Sequence, residues 1–261
     1  MFKQILSLFF LLALHSLALA DSVPGVAGPI EITTLLHAGV QLEYRGTVVQ
    51  VDPWDRLGLP GAKPADLILI SDDPGHHLDV GAIERLRKPG ASVVLTAAGK
   101  QKWPDGIVVA NGETVRVAGV TVESIAAYDI IQGNPSHPKG DANGYVVSLG
   151  GKKFFFAGVT ECVDEVKALQ GIDVAFMPMN IPLARMTPTA AATCTRGLNP
   201  AVVYVYHYDQ DYARRAQQPD YIGSGSLPDG LTVAESLDQF AEALDGSGIE
   251  FRIGEFYPPL D

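Results

Sequence analysis

Histidines are the residues of this sequence best able to do chemistry, and their positions follow a pattern. Beyond residue 20 the chain has five of them, each at the end of a predicted strand or in the loop after it: His37, His76, His77, His137 and His207. Loops at strand ends are where a rigid scaffold presents catalytic and binding side chains. Histidine is also the commonest protein ligand for zinc-like ions. The pattern therefore favours a metal site over five unrelated core histidines.

The elements that must position these histidines are predicted from apolar periodicity and turn residues. Strands are predicted over residues 31–37, 40–44, 47–51, 66–71, 92–96, 114–117, 120–125, 145–149, 153–156, 173–177, 201–206 and 250–253. Helices are predicted over residues 78–88, 161–169, 187–196 and 233–244, and a long surface loop over 209–230. Because the helices fall between β-rich blocks, a layered α/β sandwich is favoured over an alternating parallel βαβ series.

Composition and charge limit the class of protein. The chain has 261 residues, of which 47% are hydrophobic and 19% charged, as in globular proteins with a sizeable core. Its formal net charge is -11, so its field repels polyanions and excludes nucleic acid as an expected partner. A small-molecule substrate or ligand is expected instead, and the oligomeric state stays open.

The first twenty residues resemble a secretory signal. Lys3 is their only charged residue, an apolar run extends from Ile5 to Leu14, and Ala18 and Ala20 provide a small-x-small cleavage site. The segment predicts a signal peptide over 1–20, cleavage before Asp21 and a single domain over 21–261. We expect a periplasmic or secreted protein with no stable membrane insertion after cleavage; the alternative is an uncleaved anchor.

Two cysteines, Cys162 and Cys194, lie in apolar helix flanks. In an oxidising compartment they could pair, and buried free thiols are the equal alternative. There is no Cys-x-x-Cys motif, which argues against a thiol-rich metal site or a redox dithiol.

Several segments, in order, resemble the metallo-β-lactamase superfamily, in the branch that contains L-ascorbate-6-phosphate lactonase and N-acyl-phosphatidylethanolamine phospholipase D. The segments are HAGV (37–40), VDPW (51–54), ADLILISDDPGHHLD (65–79), SHPKGDANGYVV (136–147), FFFAGVTE (154–161), DVAFMPMN (173–180), MTPTAAA (186–192) and YVYHY (204–208). The resemblance runs from about Ile30 to the C-terminus. It implies an α/β fold, a four-layer αββα sandwich, and hydrolysis at a zinc-type divalent metal.

The metal-binding motif is degenerate when it is compared with the Thr-His-x-His-x-Asp-His loop of that superfamily. In an ungapped alignment Ser71 takes the threonine place, Asp72 and Pro74 take the two histidine places, and His76 takes the aspartate place. Only His77 is unchanged. The resemblance thus implies a site that has lost part of its ligand set.

The remaining ligand positions divide between two metals. His137 corresponds to a ligand of the first metal and His207 to the last ligand, whereas Val159 replaces the bridging aspartate. A dinuclear centre is therefore not expected, and at most one ion is. His76, His77 and His207 could still converge on it, because three imidazoles with an open fourth place form a hydrolytic zinc set.

The resulting hypotheses assign roles to seven residues. The metal candidates are His76, His77, His137 and His207, the catalytic candidate is Asp72, and the substrate-binding candidates are His37 and Tyr208. The first hypothesis is an exported hydrolase that cleaves an ester, lactone or phosphodiester with one metal ion. The alternative is a catalytically inactive periplasmic ligand-binding homologue without metal. An unrelated hydrolytic centre is a third possibility.

Overall fold

Two seven-stranded β-sheets form the centre of the computed structural model, which describes residues 21–223, 227 and 230–260. The first sheet contains, in sequence order, β1 (Asp21–Gly25), β2 (Gly28–Thr34), β3 (Val40–Tyr44), β4 (Thr47–Val51), β5 (Ala65–Leu69), β6 (Arg87–Leu95) and β7 (Ile107–Val108). Strands β1 to β4 are antiparallel, and β4 to β7 run parallel.

The second sheet has the same arrangement. It contains β8 (Thr114–Val117), β9 (Val120–Ala127), β10 (Ala142–Leu149), β11 (Lys152–Phe156), β12 (Val174–Pro178), β13 (Val202–Tyr206) and β14 (Glu250–Arg252). Strands β8 to β11 are antiparallel and β11 to β14 are parallel. The helices are α1 (Val80–Leu86), α2 (Asp164–Lys167), α3 (Pro188–Leu198), α4 (Gln210–Gln217) and α5 (Val233–Leu244).

Alternation along the strands creates the layers. In β5, Leu67 and Leu69 face the other sheet, whereas Ile68 packs outward with Ile83 of α1. In β11, Phe155 packs outward in the cluster that includes α2, α3 and α5, and the phenylalanines on either side of it face inward. The observed fold is therefore the predicted four-layer αββα sandwich, with its main core between the sheets.

Helix caps match their sequence signals in two places. The Thr187 side chain accepts a hydrogen bond from the backbone N–H of Ala190, and Pro188 occupies the first turn of α3. Thr232 and Glu235 form a reciprocal capping box at the start of α5. Side chains close to each helix thus determine where it begins.

The predicted loop over residues 209–230 is wrong in its first part, which forms α4. Asp209 caps this helix by accepting a hydrogen bond from the backbone N–H of Tyr212 at 2.8 Å. The helix is polar except for a narrow buried face of Tyr212, Ala213 and Ala216. Such a short apolar stripe gives a weak periodic signal, and the polar composition of the segment is also typical of a loop. Residues 224–226 and 228–229 of the predicted loop lie outside the described residues.

Other boundaries also differ from prediction. Strands β1 and β7 were not predicted, the helix predicted over 161–169 is only the four-residue α2, and β6 begins at Arg87, inside the helix predicted over 78–88. The predicted signal peptide, residues 1–20, lies outside the described residues. Within the part of the chain that the structure describes, no helix has the length and apolarity needed to cross a membrane.

Cys162 and Cys194 form a disulfide, which resolves the alternative left open by the sequence. The bond joins the segment after β11 to helix α3. That segment also supports the loop after β9, because the Glu161 carboxylate accepts a hydrogen bond from the backbone N–H of Ile130 at 2.7 Å. The crosslink therefore anchors a loop region that carries site residues.

We expect the Cys162→Ser/Cys194→Ser variant to lose about 3 kcal/mol of unfolding free energy, because the bond closes a loop of sequence separation 32 in the unfolded chain. Urea denaturation measures this loss, and the parent treated with reductant should match the variant. Thr193→Ser, at an exposed position next to Cys194, is the control. An unchanged urea midpoint in the double variant would contradict a stabilising role for the bond.

Candidate metal centre

Three histidines from separate loops converge at one end of the sandwich. His37 follows β2, His76 lies in the loop after β5, and His207 directly follows β13. Their ring centroids are 3.9 Å (His37–His207), 5.3 Å (His37–His76) and 5.5 Å (His76–His207) apart. One ligand atom from each residue lies within 4.8 Å of the others, so these residues could hold one metal ion.

The backbone holds two of these histidines in an unusual conformation. His37 and His207 have φ values of 63° and 57°, in the left-handed region that non-glycine residues rarely adopt. The backbone N–H of His207 donates to the carbonyl of His37 at 3.1 Å, and that of His37 donates to the carbonyl of Phe256 at 3.0 Å. These hydrogen bonds tie β13, the loop after β2 and the C-terminal segment together at the site.

The electrostatic environment keeps the three imidazoles neutral. Burial and the neighbouring His76 and His77 hold the pKa of His37 well below its usual range. Burial, followed by the other three histidines, does the same to the pKa of His207. Burial and His77 lower the pKa of His76 to about 3. A metal binds the neutral form of imidazole, so these three histidines are in the protonation state that a ligand requires.

The donor set fits a divalent ion of the zinc type. His207 Nε2 is buried and has no hydrogen-bond partner among the described residues, and a bound ion would satisfy it. On the other edge of the ring, His207 Nδ1 lies 3.0 Å from the Gln210 side-chain amide. His37 Nδ1 lies 3.0 Å from the hydroxyl of Tyr257. The Tyr257 hydroxyl can accept the Nδ1–H of His37, a contact that orients a metal-binding imidazole and leaves its second nitrogen for the ion, whereas the Gln210 amide only restrains the His207 ring.

His77 is held differently from the three converging histidines. Its Nδ1 lies 2.8 Å from the Asp52 carboxylate, which also accepts hydrogen bonds from the Ser71 backbone N–H at 2.7 Å and from its hydroxyl at 2.5 Å. Burial alone would lower the pKa of His77, but Asp52 raises it above its ordinary value. The His77 ring stacks on that of His207 at 5.1 Å. His77 Nε2 is also buried and has no hydrogen-bond partner among the described residues, but the ligand atoms that lie within 4.8 Å of one another belong to His37, His76 and His207.

Asp72 and His137 form a second polar group beside the three histidines. His137 Nε2 lies 3.2 Å from Asp72 Oδ2, and its Nδ1 lies 3.4 Å from the Asp129 carboxylate. Burial acts to raise the pKa of Asp72, but the hydrogen bond with His137 and the nearby His77 bring it below its ordinary value. Asp72 is thus a buried carboxylate that stays ionised. His137 contacts it instead of joining the three-histidine group.

Val159 and Pro74 stand at two positions where the superfamily resemblance places metal ligands, and neither side chain offers a donor atom. Val159 is buried in a small apolar cluster with Ala127 and Ala142. The carbonyl of Pro74 accepts hydrogen bonds from the backbone N–H groups of His77 and Leu78, both at 2.8 Å. Pro74 therefore shapes the loop that carries His77.

The remaining sequence candidate, Tyr208, lies next to the site and is largely buried. Its ring packs against Tyr257 at 4.7 Å. Nothing in the sequence pointed to Tyr257 or Arg185, whereas Asp129 is one of the acidic residues near the site segments that the sequence offers as a replacement ligand. A tyrosine near the C-terminus carries no motif, and its role depends on where the last segment of chain lies.

Because Tyr257 orients His37, we expect Tyr257→Phe to weaken metal binding about tenfold without changing the fold. Isothermal titration of the apo protein with zinc, with circular dichroism as the check on folding, measures this change. Tyr44→Phe is the matched control. The hydroxyl of Tyr44, in β3, accepts the backbone N–H of Ala27 at 3.0 Å, as the Tyr257 hydroxyl accepts that of Asp209. Equal affinities for Tyr257→Phe and the parent would exclude an orienting role.

Comparison with known proteins agrees with this architecture. The chain matches the Beta-lactamase superfamily domain over residues 31–207. A UPF0173 metal-dependent hydrolase of Thermus thermophilus is 30% identical over 224 residues, covering 76% of this chain and 96% of the relative.

Solved structures share the fold. A proposed metal-dependent hydrolase from Parabacteroides distasonis is 30% identical and superposes with a TM-score of 0.74, covering 90% of this chain and 98% of its own. A metallo hydrolase of the archaeon Ignicoccus hospitalis, 18% identical, has a TM-score of 0.66 over 88% of this chain and 97% of its own. The two sheets, the histidines at their ends and these similarities lead to one conclusion: the chain is a hydrolase-like member of the metallo-β-lactamase superfamily.

Proposed function

We propose that this protein is an exported hydrolase that cleaves a small-molecule ester, lactone or phosphodiester with one divalent metal ion, zinc or a similar one. The observation that carries the proposal is the convergence of His37, His76 and His207, with ligand atoms within 4.8 Å of one another. The metal-dependent hydrolase relatives support it. The sequence resemblance to the branch of lactonases and phospholipases supports the proposed bond types.

The proposed roles follow from two clusters of polar side chains, the three converging histidines and the Asp72–His137 pair. His37, His76 and His207 would hold the ion, and a bound ion would supply Lewis-acid chemistry for hydrolysis. Asp72 is an ionised carboxylate close enough to His76 to act on its pKa, and it would accept a proton from a water molecule in the site. His137 holds the Asp72 carboxylate in place.

A single ion is favoured over a pair. Two cations a few ångströms apart need anionic ligands to offset their repulsion. The buried Val159 and its alanine neighbours provide no charge where the superfamily resemblance places a bridging aspartate. Asp72 and His137 already contact each other, at 3.2 Å, so a second ion would have to displace that contact.

The proposed export has two supports. One is the apolar N-terminal segment with its cleavage-like Ala18 and Ala20. The other is the disulfide between Cys162 and Cys194, because such bonds persist in oxidising compartments such as the periplasm. We therefore place the mature domain, residues 21–261, in the periplasm or outside the cell.

A cavity of about 900 Å³ along α4 and the start of α5 supports a small-molecule substrate; the three histidines do not line it, and its link to them is Gln210. Gln210 links the two, because it lines the cavity and contacts His207. The wall combines apolar groups such as Leu183 with polar groups such as Arg214 and Tyr221. It could accept a substrate with both apolar and polar parts.

Metal content tests the assignment of ligands. Chelator-stripped mature protein should bind close to one zinc ion, and His37→Ala or His207→Ala should reduce this to less than one tenth, because two imidazoles hold zinc weakly. His77→Gln should retain the ion, since its amide can still donate to Asp52 and the three ligands remain. Mass spectrometry of metal content measures all four proteins. If the parent holds no metal and binds a small molecule equally well with and without chelator, the inactive ligand-binding homologue is favoured instead.

Hydrolysis tests the role of Asp72. We expect Asp72→Asn to keep its zinc but to hydrolyse p-nitrophenyl acetate or bis(p-nitrophenyl) phosphate at least 100-fold more slowly, because it loses a general base. Asp73→Asn is the matched control, since Asp73 is an exposed neighbour that pairs with Lys102. If Asp72→Asn and Asp73→Asn are both as active as the parent, the base lies elsewhere.

A further inference from the structure

Arg185 is a buried arginine beside the site that no sequence motif indicated. It lies in the loop between β12 and α3, and its side chain is only 3% exposed. The guanidinium pairs with the fully buried carboxylate of Asp129, and its Nε donates to the carbonyl of Pro182 at 2.6 Å. A pair of charges this deep has to be held in good geometry, since neither charge is solvated.

The loop that carries Arg185 is held in a strained conformation. Four non-glycine residues in the seven-residue segment 180–186 have left-handed φ values: Asn180 (54°), Leu183 (67°), Ala184 (56°) and Met186 (48°). The segment is closed by a hydrogen bond from the backbone N–H of Asn180 to the carbonyl of Met186, at 2.8 Å. Such strain persists only where surrounding contacts impose it, and it is concentrated at functional sites. The observed contacts of this loop converge on the placement of Arg185.

From Arg185 a chain of contacts leads to the proposed base. Asp129 accepts a hydrogen bond from the backbone N–H of His137 at 2.9 Å and lies 3.4 Å from its Nδ1. The backbone N–H of Asp129 donates to the carbonyl of His137, also at 2.9 Å. At the other side of the ring, His137 Nε2 lies 3.2 Å from Asp72. The order is Arg185, Asp129, His137, Asp72.

We propose that Arg185 is a positioning residue for the Asp72–His137 pair, acting through Asp129. This inference rests on the proposed function for its kinetic consequence, but the geometry of His137 can be tested without activity. The guanidinium fixes one oxygen of Asp129, and the other oxygen then faces the backbone and ring of His137. The ring presents Nε2 to Asp72 as a result.

The contacts of Arg185 with Asp129 and Pro182 require the planar guanidinium group of arginine. Arg185 places Nη1 beside the Asp129 carboxylate and donates from Nε to the Pro182 carbonyl, and these two contacts orient the plane of the guanidinium. Lysine keeps the charge but has a single ammonium group that cannot make both contacts in that geometry. A direct role in substrate binding is disfavoured, because the side chain is only 3% exposed.

The first test is kinetic and uses zinc-loaded protein with a p-nitrophenyl substrate. Arg185→Lys should lower kcat about tenfold, with KM and zinc content unchanged, because only the placement of the base is altered. Arg196→Lys is the matched control: Arg196 also donates through Nε and an Nη group, to the carbonyls of Ala243 and Asp245, on the exposed side of α3. In a His137→Gln background, Arg185→Lys should cause no further loss of kcat. The proposal would be overturned if the losses of kcat from Arg185→Lys and His137→Gln multiplied in the double variant, or if Arg185→Lys raised only KM.

The second test does not need activity. In protein labelled with ¹⁵N-histidine, Arg185→Lys should shift the ring resonances of His137 and leave those of His37 in place, and Asp129→Asn should reproduce that shift. Asp129→Asn also serves if Arg185→Lys does not fold. Unchanged His137 resonances in either folded variant would overturn the proposal. Absence of hydrolysis and of bound zinc in the parent, with the His137 shift present, would refute the proposed function and leave Arg185 as the residue that positions His137.

Discussion

The structure depends on the burial of two apolar sheet faces against each other. This packing brings the ends of β5 and β13 to the same end of the sandwich, although they lie more than a hundred residues apart in the chain. The loops that leave these ends carry His76 and His207. Because hydrophobic packing is the largest stabilising contribution to a fold of this size, the core fixes where the loops that carry the histidines lie, and the contacts of each imidazole then orient its ring.

Burial of the polar groups at this end costs desolvation free energy, and the structure offsets that cost in two different ways. The three converging histidines avoid charge: burial keeps them neutral, and one ligand atom of each lies within 4.8 Å of the others. In the neighbouring group, Arg185 pairs with Asp129, and the Asp72 carboxylate contacts His137. A site for a cation and a site for an ionised carboxylate can therefore lie side by side in the same low-dielectric interior.

The C-terminal segment adds a part of the site that lies beyond the matched superfamily domain, residues 31–207. The hydroxyl of Tyr257 contacts His37 and accepts the backbone N–H of Asp209 at 3.1 Å, so it joins a proposed ligand to the start of α4. The hydroxyl of Tyr212 donates to the carbonyl of Pro258 and fastens the same segment from the helix side. The last residues of the chain and α4 thus support the histidines from outside the shared core.

The sequence by itself determined the layered fold and the end of the sandwich where chemistry would lie. Both follow from local properties: short apolar runs such as 66–71, turn residues such as Arg45 and Gly46, and polar side chains at strand ends. Tertiary structure decided which of those side chains meet. His76 and His77 are adjacent in sequence, but they point to different partners, and only the fold shows that Asp52 engages His77 while His37 takes the third place.

The disulfide, helix α4 and the Arg185–Asp129 pair were also decided only by tertiary structure. Cys162 and Cys194 could be counted but not paired, because pairing depends on how α3 packs beside the end of β11. Arg185 and Asp129 are 56 positions apart, and neither belongs to a motif. Local sequence determines which segments form strands and helices, whereas a site built from separate loops depends on long-range packing that no single segment encodes.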